Sequence, residues 1–361
     1  MFFYGSIILV TTFLSYLYSL SKGKKIKISL FFLLVLFPSL ISGLRGVGTD
    51  YHILIDNFDK VVNGHFYLVD YDSLWIQIVL LFGKPGIPPQ VPIFLASLIT
   101  ICGMLKIFRS YEKNISFVFS VFSFMCTFYL ISFNLYRQLL SNVIFLLGVC
   151  SYAQTAKSKK YWLYGIISVL IHDSNILFLP MILFWKILTH KRELRKRLGI
   201  YICASCMIIS IPLFVAVLSN LVSLFPHYAY YFEHFYFKGF GLGIVRYFFL
   251  TIIPVIYITN LNLNKIGLGF LPFFCIFGTV IWLSSYISES FIYRLSYTLH
   301  LSLPILYGVI AKEIKKRNGL FFKRNGIFLQ FLIISMLVIC CYNDFIVVNS
   351  GLITPYHFFW E

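Results

Sequence analysis

Apolar positions in this chain come in long runs broken by short polar or basic stretches, and the runs match the ~20 residues an α-helix needs to cross a bilayer. Such runs are read at residues 2–20, 28–43, 91–108, 115–131, 137–153, 198–220, 244–260, 266–286, 291–311 and 327–345. The stretch 161–188 lies between two basic clusters, Lys157, Lys159 and Lys160 before it and Lys191, Arg192, Arg195, Lys196 and Arg197 after it. Basic clusters of this kind stay cytoplasmic, so the stretch must turn back as two short helices meeting near His172, Asp173 and Ser174. That makes twelve crossings with both termini outside. Residues 75–82, followed by Gly83-Lys-Pro-Gly-Ile-Pro-Pro89, are too short to span and predict an interfacial or re-entrant helix. Met1 to Ser6 carry no basic residue before the first run, and no small-residue cleavage site follows it, so a retained helix is expected rather than a signal peptide. The predicted fold is an all-α polytopic membrane protein, with residues 1–361 forming one integral-membrane domain.

Composition agrees. The 361 residues are 59% hydrophobic and only 12% charged, with a mean hydropathy of +0.85, far from the balance of a soluble domain. The spans leave only short connections, which excludes a soluble enzyme, a secreted module and a disordered chain. A net charge of +17 would point to nucleic acid in a soluble protein. Here the predicted topology puts 23 of the 30 Lys and Arg residues inside with three acids, and seven outside with ten. The charge therefore reports orientation, and no nucleic-acid partner is expected. The eight cysteines all fall in predicted spans, where thiols pack as small apolar groups. Cys203 and Cys206 form a C-x-x-C without a second pair or a nearby His, so no metal and no disulfide framework is expected. There is no phosphate-loop motif, no H-E-x-x-H and no internal repeat.

The informative residues are arginines that depart from the positive-inside pattern. Arg45, Arg137, Arg246 and Arg294 each sit at or near the outer end of a predicted span. A guanidinium beside hydrocarbon costs at least a few kcal/mol unless paired, and its planar fork suits a diphosphate or carboxylate. Four on one face point to an anionic substrate. The alternatives are pairing with a local acid such as Asp50, Asp173, Glu289 or Asp344, and lipid-headgroup contact for Arg246. Gly46 and Gly48 permit turns that present Arg45 and Asp50 together. Asp56, Asp59, Asp70 and Asp72 read as a solvated face, and two carboxylates without a spacing signature predict a metal-independent site. Asn134, Arg137, Gln138 and Ser141 follow i, i+3, i+4, i+7 spacing, which predicts one polar helical face entering the membrane. His172 at the hairpin tip is a candidate general base or phosphate donor, while adjacent His172, Asp173 and Ser174 cannot relay protons to one another. The aromatic segment His227 to Tyr236 suits the membrane interface or sugar stacking, and Glu233 is its one charge.

At these residues the chain resembles the EpsG/Wzy-type bacterial polysaccharide polymerases. The resemblance is carried by Arg45-Gly-Val-Gly-Thr-Asp-Tyr51, Asn134-Leu-Tyr-Arg-Gln138, His172-Asp-Ser174, Arg294 with Pro304, and Thr354-Pro-Tyr-His-Phe-Phe359, in order over nearly the whole chain. Asp173 stands where a variable residue is expected and receives no catalytic role. The resemblance implies a glycosyltransferase on the outer face of the cytoplasmic (inner) membrane. It would join oligosaccharide repeat units carried on undecaprenyl diphosphate, with no cofactor, beside a flippase and a chain-length regulator of the same pathway. The expected site comprises Arg45, Gly48, Tyr51, Asn134, Arg137, Gln138, Ser174, Glu233, Arg294 and Tyr356 for diphosphate and glycan, with Asp50 or His172 as base. Arg45, Arg137 and Arg294 would stabilise the diphosphate leaving group. A flippase for the same lipid-linked glycan is the alternative, although it should carry cations through the depth of its cavity and show two related halves. A membrane O-acyltransferase would need a route for a cytoplasmic acyl donor past short, basic inner loops.

Overall fold

A computed structural model describes residues 2–69, 73–82, 87–181, 246, 248–258, 261, 263–284, 291–316, 320–349 and 352–360. All regular elements among them are helical. They are α1 (Phe2–Leu20), α2 (Lys24–Gly43), α3 (Tyr51–Val62), α4 (Ser73–Phe82), α5 (Gln90–Ser110), α6 (Phe117–Phe124), α7 (Tyr136–Thr155), α8 (Ser158–Ile171), α9 (Ile253–Ile258), α10 (Leu271–Ser284), α11 (Phe291–His300), α12 (Leu303–Lys316) and α13 (Leu320–Tyr342). Among the described residues, four segments are long and apolar enough to cross a membrane: Phe2–Leu20, Lys24–Gly43, Gln90–Ser110 and Asn325–Val347. Polar residues within the helices hide by bonding back to the preceding turn, as Ser39 does to the Val35 carbonyl (2.6 Å) and Thr127 to that of Ser123 (2.7 Å).

Packing follows a simple order. Helix α1 lies on α2 and α6, α2 on α5, α5 on α7, and α7 on α8 and α11, while α12 joins α6 to α13. At Gly103 of α5 a Cβ would stand 2.5 Å from Val143 of α7, so only glycine permits that approach. Helices α3 and α4 add a smaller core at one end, where Leu54, Phe58, Val61, Trp75 and Val79 are buried with Tyr136 and Ile171. Asp56 and Asp59 on α3 are exposed as expected, Asp56 pairing with Lys60 at 2.6 Å, while Asp70 and Asp72 lie outside the described residues. The ends of the bundle differ in chemistry. Lys27 pairs with Glu112 (3.6 Å), and Lys312 reaches the Glu112 carbonyl (3.4 Å) at the end where α2 begins. The Arg45 segment follows the other end of α2, ~30 Å away along a helix of that length.

The expected spans and the observed helices differ in several places, and the run 244–260 contains a π-turn at Phe248–Ile252 while the run 327–345 ends in one at Asn343–Val347. The run 115–131 is helical only in part as α6, passing into a π-turn at Met125–Tyr129 and a 3₁₀ turn at Ile131–Phe133. The run 291–311 is two helices separated at Leu301 and Ser302, because Pro304 has no N–H for the His300 carbonyl. Asn134 precedes α7, and the intervening Leu135 is non-helical (φ −103°, ψ 37°), so the expected stripe from Asn134 to Ser141 is not one helical face. The helix break expected near His172 is present. Helix α8 ends at Ile171, His172 is extended, and a 3₁₀ helix follows at Asp173–Phe178. The short helix α4 also matches its prediction in place and length. The second hairpin helix, the run 198–220, Cys203, Cys206, Glu233 and Glu289 lie outside the described residues.

Candidate functional site

Three helices of this bundle leave α geometry through π-turns, at Met125–Tyr129, Phe248–Ile252 and Asn343–Val347, and the α11–α12 pair is broken. All four irregularities meet at one cavity of about 330 Å³. Thr127 and Phe128 come from the first π-turn, Leu250 from the second, Asp344 and Phe345 from the third, and His300 and Leu303 flank the break. In a low-dielectric environment irregular backbone persists where its polar groups find partners, and π-turns recur at functional sites. Pro254 shows the compensation at work. It cannot give an N–H to the Leu250 carbonyl four residues earlier, and the Tyr307 hydroxyl donates to that carbonyl at 2.6 Å.

The cavity wall carries two arginines. Arg246 forms an ion pair with Asp344 across it, linking chain positions 98 apart. Arg294 stands in α11, whose backbone is held from α7 by Gln138, the side-chain Nε2 donating to the Arg294 carbonyl at 2.8 Å. Around them are Trp282, Tyr293, Tyr297 and Asn134, together with His300, whose Nε2 lies 3.2 Å from the Thr279 hydroxyl. Cations, a carboxylate and aromatic faces in one recess of this size suit an anionic glycan-bearing ligand.

Beside the cavity, the Arg45–Tyr51 segment is clamped from two directions. Gly46 donates its N–H to the His357 carbonyl (2.8 Å), Phe359 donates to the Leu44 carbonyl (3.0 Å), and Arg45 pairs with Phe358 as an isolated antiparallel bridge. A Cβ on Gly46 would stand 2.8 Å from the Phe358 carbonyl oxygen. Tyr356 secures the tail by donating to the Ile41 carbonyl at 2.7 Å. On the other side Gly48 has φ +125°, and a Cβ there would approach Asn134 Oδ1 to 2.6 Å. The neighbouring Thr49 lines the cavity with Asn134.

Arg45 itself is buried, 1% exposed. Its guanidinium donates to the Ser42 and Phe133 carbonyls and lies over the Phe133 and Tyr136 rings at 5.2 and 5.9 Å. Burial draws its pKa down to about 10, which leaves it charged at neutral pH. Tyr51 opens α3 and accepts a bond from Gln90 (2.8 Å); burial pushes its phenol up against the opposing effects of that bond and of Arg45. Asp50 is the half-buried residue just before α3, and its carboxylate makes no hydrogen bond or ion pair among the described residues.

The segment that follows α8 reaches the same elements through a buried polar chain. Asn175 donates to the Ser141 hydroxyl (2.6 Å), which donates to the Ser168 carbonyl (2.6 Å), and Thr298 lies 3.1 Å from Asn175 Oδ1 and 2.9 Å from the Asn142 amide. The Thr298 hydroxyl has one proton for these two contacts. With the Asn142 amide turned so that Nδ2 donates to Thr298, donation runs in one direction from Asn142 through Thr298, Asn175 and Ser141 to Ser168. This chain fixes α8 and α11 on α7, one turn from Gln138 and from Arg294.

Of the residues expected in a site, Asn134 and Arg294 line the cavity, and Gly48 and Asp50 flank the lining residue Thr49 in the chain, with Tyr51 following Asp50. Arg45, Gln138 and Tyr356 hold its surroundings together. Half-buried Arg137 in the first turn of α7, half-buried His172 and buried Ser174 are not among the lining residues. Arg246 takes the local-acid pairing that the sequence offered as an alternative, with Asp344. Tyr293, Tyr297 and His300 are not singled out by the sequence reading, although they follow i, i+4, i+7 spacing beside Arg294, the kind of periodicity sought at Asn134–Ser141. The six described cysteines are free thiols.

A family model described as the EpsG family matches residues 28–358, nearly the whole chain. No curated protein and no solved structure matches this chain.

Proposed function

Because the chain belongs to the EpsG family of Wzy-type polysaccharide polymerases, membrane glycosyltransferases that lengthen glycans, we propose that its cavity binds a lipid-diphosphate-linked glycan and transfers that glycan to an acceptor sugar. The donor is an undecaprenyl-diphosphate-linked repeat unit, and the reaction takes place at the outer face of the cytoplasmic membrane. The observation that carries this reading is the meeting of four helix irregularities at a recess holding Arg246 and Arg294. An acceptor hydroxyl passes its proton to the base carboxylate as its oxygen bonds to the donor C1, the C1–oxygen bond to diphosphate breaks, and the electron pair leaves on the diphosphate. Arg294, with Arg246 beside it, neutralises that developing charge in a low-dielectric recess. Arg45 acts by positioning the Gly46–Asp50 segment against Asn134, and Arg137 remains a candidate for contact with glycan or diphosphate outside the lined recess. Of the two candidate bases, Asp50 has the better position, since it adjoins Thr49 on the cavity wall. Tyr293, Tyr297 and Trp282 offer faces for sugar rings. A flippase delivering the substrate and a chain-length regulator are the partners such a reaction implies.

The test is the length distribution of surface glycan from a strain lacking the gene, complemented with wild type or Arg294→Ala. Carriers or anchors bearing single repeat units, with the ladder restored by wild type but not by a normally accumulating Arg294→Ala protein, support the proposal. Loss of all units from the outer face would make the protein a flippase, and a full ladder from Arg294→Ala would remove that residue from the site.

A further inference from the structure

Arg246 and Asp344 face the same cavity as Arg294, and the Arg246 guanidinium is already engaged there by the Asp344 carboxylate. The two side chains are 31% and 28% exposed, so a ligand in the cavity can reach the pair. A carboxylate and a phosphoryl group present guanidinium with the same acceptor geometry, so they compete for it. Both partners are also carried at irregular backbone. Arg246 lies just before the π-turn at Phe248–Ile252, and Asp344 is inside the π-turn at Asn343–Val347. Such turns are points at which a helix changes register locally.

We propose that Asp344 is an internal counter-ion that holds Arg246 until a diphosphate displaces it. This rests on the reading of the cavity as a diphosphate site and adds to it a specificity device. Without ligand, the carboxylate offsets the charge of Arg246. A diphosphate, with more than one negative charge, takes Arg246 from Asp344 and engages Arg294 with it. Asp344 is thereby a positioning residue acting through Arg246, and it lowers the apparent affinity by the fraction of protein in which Arg246 is engaged. A singly charged ligand competes less well, so the pair discriminates diphosphates from monoanions.

The experiment measures inorganic pyrophosphate binding to the purified full-length protein in lipid nanodiscs by calorimetry. Asp344→Asn should bind pyrophosphate about two- to fivefold more tightly than wild type, the gain expected from removing a partly exposed competing ion pair. Arg246→Ala should bind more weakly, and adding Asp344→Asn to it should bring a smaller gain than it brings to wild type, because only the direct repulsion between the carboxylate and pyrophosphate is then relieved; an equal gain in both backgrounds would overturn the counter-ion. If Asp344→Asn does not accumulate, Asp344→Ser carries the same expectation. A merely structural role would not tighten binding. Unchanged or weaker binding by a folded Asp344 variant, with wild type binding in an Arg294-dependent way, overturns the counter-ion and leaves the diphosphate site standing. No pyrophosphate binding by wild type or any variant overturns both.

Discussion

Gly48 offers the sharpest test of how the loop following α2 is held. At φ +125°, a backbone region essentially reserved for glycine, an alanine costs about 1–3 kcal/mol. Its Cβ would also stand 2.6 Å from Asn134 Oδ1, a contact that must be relieved by displacing a side chain on the cavity wall, adding about 1–3 kcal/mol by analogy with overpacking. Gly48→Ala should therefore destabilise the protein by about 2–6 kcal/mol. Two controls separate the contributions. Gly64, at φ +82° with open space around it, should cost only the backbone part, about 1–2 kcal/mol, and Gly5, with no atom near its missing Cβ inside α1, should gain about 0.5–1 kcal/mol as alanine. The assay is reversible SDS unfolding of the purified protein in mixed micelles, with the glycan ladder measured in parallel. In an Asn134→Ala background the steric part of the Gly48→Ala cost should disappear and the backbone part should remain, giving a non-additive cycle. If Gly48→Ala cost no more than Gly64→Ala, or if the cycle were additive within about 0.5 kcal/mol, the loop would not be clamped against Asn134 as described.

Other outcomes follow from the same geometry. Arg45→Lys should lower stability and polymerisation together, because one ammonium cannot replace a planar fork that serves two carbonyls while lying against two rings; full activity of Arg45→Lys would contradict this. Tyr307→Phe should cost about 1–3 kcal/mol by removing a donor from the buried Leu250 carbonyl. That cost should shrink in a Pro254→Ala background, where a new N–H is available, and the same unfolding assay compares the two. Tyr356→Phe should cost about 0.5–1.5 kcal/mol and expose the tail to proteolysis before the rest of the chain, as limited digestion followed by mass spectrometry would detect.

The contacts behind these predictions are distant in sequence. Gln138 reaches Arg294 across 156 positions and Arg246 reaches Asp344 across 98. Hydrophobic period and length could therefore place α1, α2, α5 and the last span, locate the hairpin break after Ile171, and mark Arg45, Asn134 and Arg294 as costly residues near apolar surface. Those are local properties, written in the order of side chains along one helix. Period gives no warning of a π-turn, because one extra residue in a turn leaves the apolar content unchanged, and so the irregular segments around the cavity were read as plain spans. The stripe from Tyr293 to His300 was legible and was missed.

The amino-acid sequence alone determined the class of fold, the family and the short segments that matter. Each follows from composition, from spacing or from the ordered motifs. Only the tertiary structure decided what those segments do for one another: Arg45 fastens a loop, Gly48 fits beneath Asn134, the terminal tail covers Gly46, and Arg246 meets Asp344. The physical reason is that desolvated guanidinium and amide groups must find partners, and which partners they find is set by how the helices pack.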